Sequence, residues 1–225
     1  MESASDPDLS PGEYWIKPAI DLSDISLRDV LFGDLGYETE ADGDRVHKYD
    51  VVRSGGTYVF DVFETNGSAD SDWLPVSIPH YAYVFIEPEG DPRLVVEVDQ
   101  GSSGYTILDP QTGEQLGTVA KSRRILGDWQ LTNTEGDVVA TTDQVDKSTP
   151  LLSSGTYVTW DVLGQDGAKI GQFQRGPAEG SSSDRLSAMQ ITCSRSRVST
   201  DQCIAFAFVL LYEGSQSTIR PQHGP

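Results

Sequence analysis

The chain has 225 residues, a formal net charge of -19 and a pI near 4.3. This length fits one large β domain or two small ones, and the scattered acidic charge excludes the basic surface that nucleic-acid-binding proteins normally carry. Acidic residues spread along a whole chain are typical of adaptation to high salt, because molar salt shortens the Debye length to about 3 Å and screens their repulsion.

The N-terminal segment shows no signal-peptide pattern, since MESASDPDLSPGEY is acidic and polar and has no apolar core. We predict that residues 1–13 are disordered. Residues 14–35 carry dispersed apolar side chains and predict a short helix or irregular cover. No stretch reaches the roughly 20 apolar residues of a membrane-spanning helix. The expectation is a cytoplasmic protein that is not an integral membrane protein.

From residue 36 onward, short runs of alternating apolar and polar residues are divided by turn residues, a pattern that predicts β-strands. The predicted strands are Arg45–Arg53, Thr57–Glu64, Ala82–Glu87, Leu94–Asp99, Gly104–Asp109, Gln115–Lys121, Asp128–Asn133, Asp137–Thr142, Thr156–Leu163, Lys169–Arg175 and Arg185–Arg195. Glycine-containing turns at Asp109–Gly113, Asn133–Asp137 and Gly164–Gly167 join consecutive runs and predict hairpins. The strands therefore form an antiparallel meander.

One segment near the C-terminus is apolar on every side: Cys203–Tyr212, with the sequence CIAFAFVLLY. Ser199 and Gln202 precede it at capping-box spacing, and Asp201 lies in the first turn, where negative charge is favourable. Gly214 predicts the end of the helix. An all-apolar helix too short for a membrane must be surrounded by protein; a buried strand is the alternative.

The number of strands and the buried helix together predict the fold. A sheet of about twelve strands tends to close, and its lumen would hold a helix of about 10–12 Å diameter. We predict a mainly β protein: a closed antiparallel β-barrel of about 12 strands enclosing a hydrophobic C-terminal α-helix. The single domain would span residues 14–213, with the helix at about 200–212 and a flexible tail at 214–225.

Two hairpin segments carry a family resemblance. The patterns Tyr105–Asp109 with Gly113–Gly117, then Trp129–Asn133 with Gly136, resemble the LURP-one-related proteins. These belong to the tubby C-terminal-like superfamily, which includes the phospholipid scramblases. The last strand and helix, Arg185–Tyr212, look like the ending of that superfamily. The resemblance covers about residues 45–213 and implies a twelve-stranded barrel around a central helix.

The same resemblance bears on function. Eukaryotic tubby domains bind phosphoinositides through basic residues, and this chain departs from them by its acidity and its lack of an obvious basic pocket. It also lacks the membrane-spanning tail and clear calcium motif expected of a scramblase. Lipid chemistry is therefore not carried over from the family directly.

The search for chemical motifs gives little. His47, His80 and His223 are too scattered to predict a metal site, and surface positions are expected for them. No nucleophile elbow, P-loop or EF-hand spacing is present. Cys193 and Cys203 lie among apolar residues and predict buried free thiols. We therefore expect no cofactor, no metal and no enzymatic activity.

Basic residues form two groups in this acidic chain. Lys121, Arg123 and Arg124 lie between two predicted strands, and Arg195 and Arg197 precede the helix. Together they predict an anion site, since arginine binds anionic groups bidentately; pairing with neighbouring carboxylates is the alternative.

The prediction is a monomeric, non-enzymatic binding or scaffold module whose partner is an anionic lipid headgroup or a protein. An enzyme with an unrecognised pocket and a purely structural or regulatory barrel are the alternatives.

The dispersed negative charge generates one prediction. The melting temperature should rise between dilute buffer and molar KCl, because salt screens repulsion between like charges. Thermal unfolding followed by circular dichroism at both concentrations measures the difference. Equal melting temperatures would contradict adaptation to high salt.

Overall fold

The structure is a computed structural model that describes residues 10–19, 41–42, 45–65, 81–98, 104–122, 128–148, 156–178, 187–194 and 198–219. These residues form strands and one helix. The strands are β1 (Gly12–Pro18), β2 (Ala41–Asp42), β3 (Arg45–Arg53), β4 (Tyr58–Thr65), β5 (Ala82–Ile86), β6 (Pro92–Val98), β7 (Gly104–Leu108), β8 (Gln115–Lys121), β9 (Trp129–Thr132), β10 (Val138–Ser148), β11 (Tyr157–Gly164), β12 (Lys169–Pro177) and β13 (Ser187–Cys193). The helix is α1 (Thr200–Ile219).

The strands close into an antiparallel barrel. Strands β3 to β13 pair in chain order, and β1 pairs with both β13 and β3. The two-residue β2 extends the sheet beside β3 and is not part of the closed ring. The prediction of a closed barrel of about 12 strands with a C-terminal helix is confirmed, and each predicted strand overlaps an observed one.

The prediction of a helix or irregular cover at the start of residues 14–35 is wrong, because Gly12–Pro18 is strand β1. The predicted disorder of residues 1–13 also fails at Gly12 and Glu13, while residues 1–9 and 20–40 lie outside the described residues. Tyr14 and Ile16 are fully buried on one face of this strand. Its partner, β13, lies far along the chain, so local sequence carries no sign of the pairing.

Helix α1 fills the barrel. Every residue from Ile204 to Leu211 is at most 2% exposed. Phe208 packs edge-to-face against Phe85 in β5 and Tyr49 in β3, and Phe206 packs the same way against Phe173 in β12. Because these strands lie in different parts of the ring, the helix has no solvent-facing side along this stretch.

The helix begins as the sequence predicts and ends later. Ser199 and Gln202 exchange two hydrogen bonds of 3.1 Å in a capping box. The Asp201 carboxylate pairs with Arg93 at 3.1 Å, which holds the first turn against β6. The predicted end at Gly214 is wrong, since α1 continues to Ile219 and Gly214 has no positive φ. The predicted flexible tail of residues 214–225 is therefore wrong as far as residue 219, while residues 220–225 lie outside the described residues.

The barrel has two different ends. At the turn end, tight connections join β3–β4, β5–β6, β7–β8, β9–β10 and β11–β12, with hydrogen bonds of 2.7–2.9 Å closing each. Gly113, Gly136 and Gly167 have φ of 71°, 88° and 78°, as their turns require. At the opposite end, called here the connection end, the strands are joined by residues 66–80, 99–103, 123–127, 149–155 and 179–186, all outside the described residues. Helix α1 runs from the turn end to the connection end.

Cys193 and Cys203 form a disulfide, so the prediction of free thiols is wrong. Cys193 ends β13 and Cys203 lies in the first helical turn, with Cα atoms 6.6 Å apart, within the range a disulfide spans. Apolar surroundings predict burial, which is correct, but they do not reveal that the chain folds back on itself between the two residues. Disulfides are typical of oxidising compartments. The cysteines therefore no longer support the expected cytoplasmic location.

The filled lumen predicts a large cost for shortening a helix aromatic residue. Phe208→Ala should lower the free energy of unfolding by about 3–5 kcal/mol, because it removes contacts and leaves a cavity. Urea denaturation measures this. Val145→Ala is the control: this side chain is 51% exposed, so its change should be within about 0.5 kcal/mol.

Truncation after Arg197 should prevent cooperative folding altogether, and a folded truncated chain would contradict the central role of the helix.

The disulfide predicts a second stability effect. The double variant Cys193→Ala and Cys203→Ala should lose about 2–3 kcal/mol, because a bridge between residues ten positions apart restricts the unfolded chain. Denaturation with and without reductant measures this loss. Reductant should destabilise the wild type and leave the double variant unchanged. Two reactive thiols in the unreduced, denatured wild type would show that the bridge is absent.

Candidate functional site

Charged and aromatic side chains surround helix α1 where it reaches the connection end. The Lys121 ammonium group lies 2.9 Å from the Glu213 carboxylate and 5.0 Å from the centre of the Trp129 ring. The Tyr105 hydroxyl donates to the other Glu213 oxygen at 2.5 Å. Strands β7, β8 and β9 thus place a cation, a phenol and an indole around one helix carboxylate.

The protonation state of Tyr105 follows from its surroundings. Burial, and after it the hydrogen bond to Glu213, raises the pKa of Tyr105 above its ordinary value. The phenol therefore stays a neutral donor at physiological pH. Lys121 is the cation paired with Glu213, and its side chain is 52% exposed, so an external anion can compete for it.

A second cation lies beside an aromatic ring at this end. The Arg175 guanidinium lies 6.0 Å from the centre of the Trp160 ring. Its Nη1 atom is 1.1 Å from the point where a Cβ at residue 214 would stand. A side chain at position 214 would displace this guanidinium from its place against the helix backbone.

A tyrosine network continues around the same end. The hydroxyls of Tyr81 and Tyr83 are 3.0 Å apart, Tyr81 also donates to Glu64, and Lys48 pairs with Glu64 at 3.0 Å. Tyr83 packs against Tyr212 of the helix, with ring centres 5.2 Å apart. The connection end is therefore rich in aromatic groups, and Lys48 and Lys121 there are each paired with a carboxylate.

The structure describes one residue of the predicted anion site, Lys121. The other four residues, Arg123, Arg124, Arg195 and Arg197, lie outside the described residues, so the site stays a prediction. Ser122 and Asp128 flank the segment that contains Arg123 and Arg124. The backbone N–H of Ser122 donates to the Asp128 carbonyl oxygen at 2.8 Å at the connection end. The second pair lies between Ser194 and Val198, which precede the helix at the turn end. Glu213, the partner of Lys121, lies thirteen positions after Thr200, which corresponds to a rise of about 20 Å along the helix.

A surface groove lies at the turn end, between the β9–β10 and β11–β12 turns. Its walls are formed by Val138, Ala140, Thr141, Leu163, Gly164, Gln165 and Gly167. None of these side chains is an acid, a base or a metal ligand of the kind that hydrolytic or redox chemistry uses. The groove offers apolar surface and backbone polar groups.

A further cluster lies on the outer face of β3 and β4, and sequence analysis missed it. His47, Asp50, Asp61 and Tyr58 bring an imidazole nitrogen, two carboxylates and a phenol together. Regular alternation would put His47 and Asp50 on opposite faces of a strand, because they are three residues apart. A β-bulge between His47 and Tyr49 adds one residue and turns both side chains outward. No sequence signal marks this bulge.

Comparison with known proteins gives a limited result. No protein-family model and no curated protein matches the chain. Among solved structures, the chain is similar to the X-ray structure of a protein from Arabidopsis thaliana, with a TM-score of 0.44, 10% identity and 94% coverage of each chain. Within the described residues, the helix does not have the length and apolar character needed to cross a bilayer.

Proposed function

We propose that this protein is a non-enzymatic barrel of the tubby C-terminal-like superfamily that binds an anionic partner at its connection end. The observation that carries the proposal is the filled lumen: Ile204–Leu211 occupy it without solvent exposure. A ligand therefore binds on the exterior or at an end. Membership of the superfamily is supported by a twelve-stranded ring around a C-terminal helix, the architecture that the LURP-one-related sequence resemblance implies.

The connection end favours an anion for two reasons. Lys121 and Arg175 each lie over an indole ring there, so two cations are held at this end of the barrel. Arg123 and Arg124 follow Lys121 in the chain, separated from it by Ser122. The sequence thus has three basic residues within four positions, beginning with the exposed Lys121.

Glu213 opposes the proposed ligand. Its carboxylate holds Lys121 at 2.9 Å, so a bound anion must replace it. The two anions compete for one cation. Changes to Glu213 and to the basic residues should therefore alter the binding affinity in opposite directions. Removing the charge of Glu213 should strengthen binding, and removing the basic charges should weaken it.

The experiment measures binding to two probes. Phosphatidylcholine vesicles with and without phosphatidylserine test a lipid surface, and inositol hexakisphosphate tests a free phosphate. The triple variant Lys121→Gln, Arg123→Gln and Arg124→Gln should weaken binding about tenfold or more, since each lost phosphate contact removes a charge-assisted bond. Glu213→Gln should strengthen it and keep the acceptor for Tyr105.

A charge-matched control decides between this end and net charge alone. Lys169→Gln with Arg53→Gln and Lys17→Gln removes the same number of positive charges from described residues of β12, β3 and β1 that lie outside the predicted anion site. This control should bind as the wild type does. Equal loss in both triple variants, or wild-type protein that binds neither probe, would overturn the proposal. Circular dichroism confirms that every variant is folded.

A further inference from the structure

We propose that His47, Asp50 and Asp61 form a binding site for a divalent transition-metal ion, of the zinc type, on the outer face of the barrel. The imidazole Nε2 of His47 lies 2.9 Å from Asp50 Oδ1 and 3.1 Å from Asp61 Oδ1. All three atoms lie within 4.8 Å of one another. The site is separate from the connection end and does not depend on the function proposed there.

The spacing fits a metal ion that the three atoms share. Zinc bonds of about 2.0–2.2 Å hold neighbouring ligand atoms about 2.8–3.6 Å apart in tetrahedral or octahedral geometry, and both nitrogen–oxygen distances lie in this range. A histidine with two carboxylates is a ligand set that zinc and similar ions accept. The side chains are 27–28% exposed, so water can complete the coordination.

A second observation concerns the nitrogen itself. His47 Nε2 is buried, and the two carboxylate oxygens within ion-pair distance of it do not give it a well-directed hydrogen bond. A buried ring nitrogen that faces two carboxylate oxygens away from the direction of an N–H bond is suited to coordinate a cation between them.

The rest of the cluster shapes the site without supplying a strong competing charge. Tyr58 contacts both carboxylates, and burial, together with those hydrogen bonds, raises its pKa, so it remains a neutral phenol. Phe63 stacks on the imidazole at 4.9 Å and fixes the ring plane. Lys17 lies opposite Asp50 in the sheet register. Its positive charge would repel a metal ion bound at this site.

A proton competes with the metal for the same nitrogen. The nearby Asp50 carboxylate raises the pKa of His47 against the opposing effect of burial. An imidazolium–carboxylate ion pair has the same spacing as the proposed metal site. Direct measurement of metal binding separates the two arrangements.

The barrel offers a matched control on another strand. Asp161 lies on the outer face of β11 and is held by Lys169 at 2.6 Å and Gln172 at 2.9 Å. It has the same residue type and a similar exposed position, but His47, the histidine within the described residues, does not face it. Asp161→Asn removes one outer-face carboxylate without touching the proposed site.

The experiment is titration of the oxidised, full-length protein with Zn²⁺ by calorimetry in high salt, with excess Mg²⁺ to occupy non-specific carboxylates. The wild type should bind one ion. His47→Gln and Asp61→Asn should each weaken that binding more than about tenfold, because each removes a direct ligand. Lys17→Gln should strengthen it by removing a repelling charge, and Asp161→Asn should match the wild type.

A spectroscopic measurement addresses the ligands directly. Co²⁺ in place of zinc should give a visible absorption band in the wild type that is lost in His47→Gln and kept in His80→Gln and His223→Gln. Thermal melts confirm that the variants remain folded. Wild-type protein that binds no Zn²⁺ in the presence of excess Mg²⁺ overturns the proposal, and so does Asp161→Asn if it weakens binding as much as Asp61→Asn does. Binding that survives both His47→Gln and Asp61→Asn also overturns it.

Discussion

Burial of one apolar helix inside a closed ring of strands is the interaction on which this structure depends. Neither part is stable alone: the helix exposes apolar side chains in every direction, and the ring without it encloses an apolar cavity. Each large apolar side chain that is fully buried contributes about 1.5–3 kcal/mol, and Phe206 and Phe208 contact opposite parts of the ring. The capping box and the Arg93–Asp201 pair fix where the helix starts, which sets the depth at which each side chain meets the strands.

The fold could be predicted because it rests on local patterns. Alternation marked strands β3 to β13, and an apolar run with a capping box marked the helix. Features that depend on distant partners could not be predicted. Strand β1 exists because β13 and β3 both pair with it, and the disulfide exists because the chain reverses between Cys193 and Cys203. The His47 cluster depends on a bulge of one residue, and a shift of one residue moves a side chain to the other face of a sheet.

The filled lumen also determines where function can lie. Many barrels bind ligands in an interior cavity, but here the interior is occupied by the chain itself. The two proposed sites are accordingly at one end and on the outer face, and different strands support them. Strands β8 and β12 carry the cations of the connection end, while β3 and β4 carry the histidine and carboxylates. A fold of this kind provides a rigid support, and the side chains placed on it determine the function.

The place of the helix in the chain has a consequence for biosynthesis. A ribosome makes all the described strands before it makes α1, and β1 can pair with β13 only after Ser187–Cys193 has emerged. Until then the strands have unpaired edges and an uncovered apolar face, the features that promote association between chains. Domains dominated by such distant pairings fold slowly. The barrel therefore closes only once β13 and α1 have been made, and the nascent chain before that point is the form most exposed to aggregation and most dependent on chaperones.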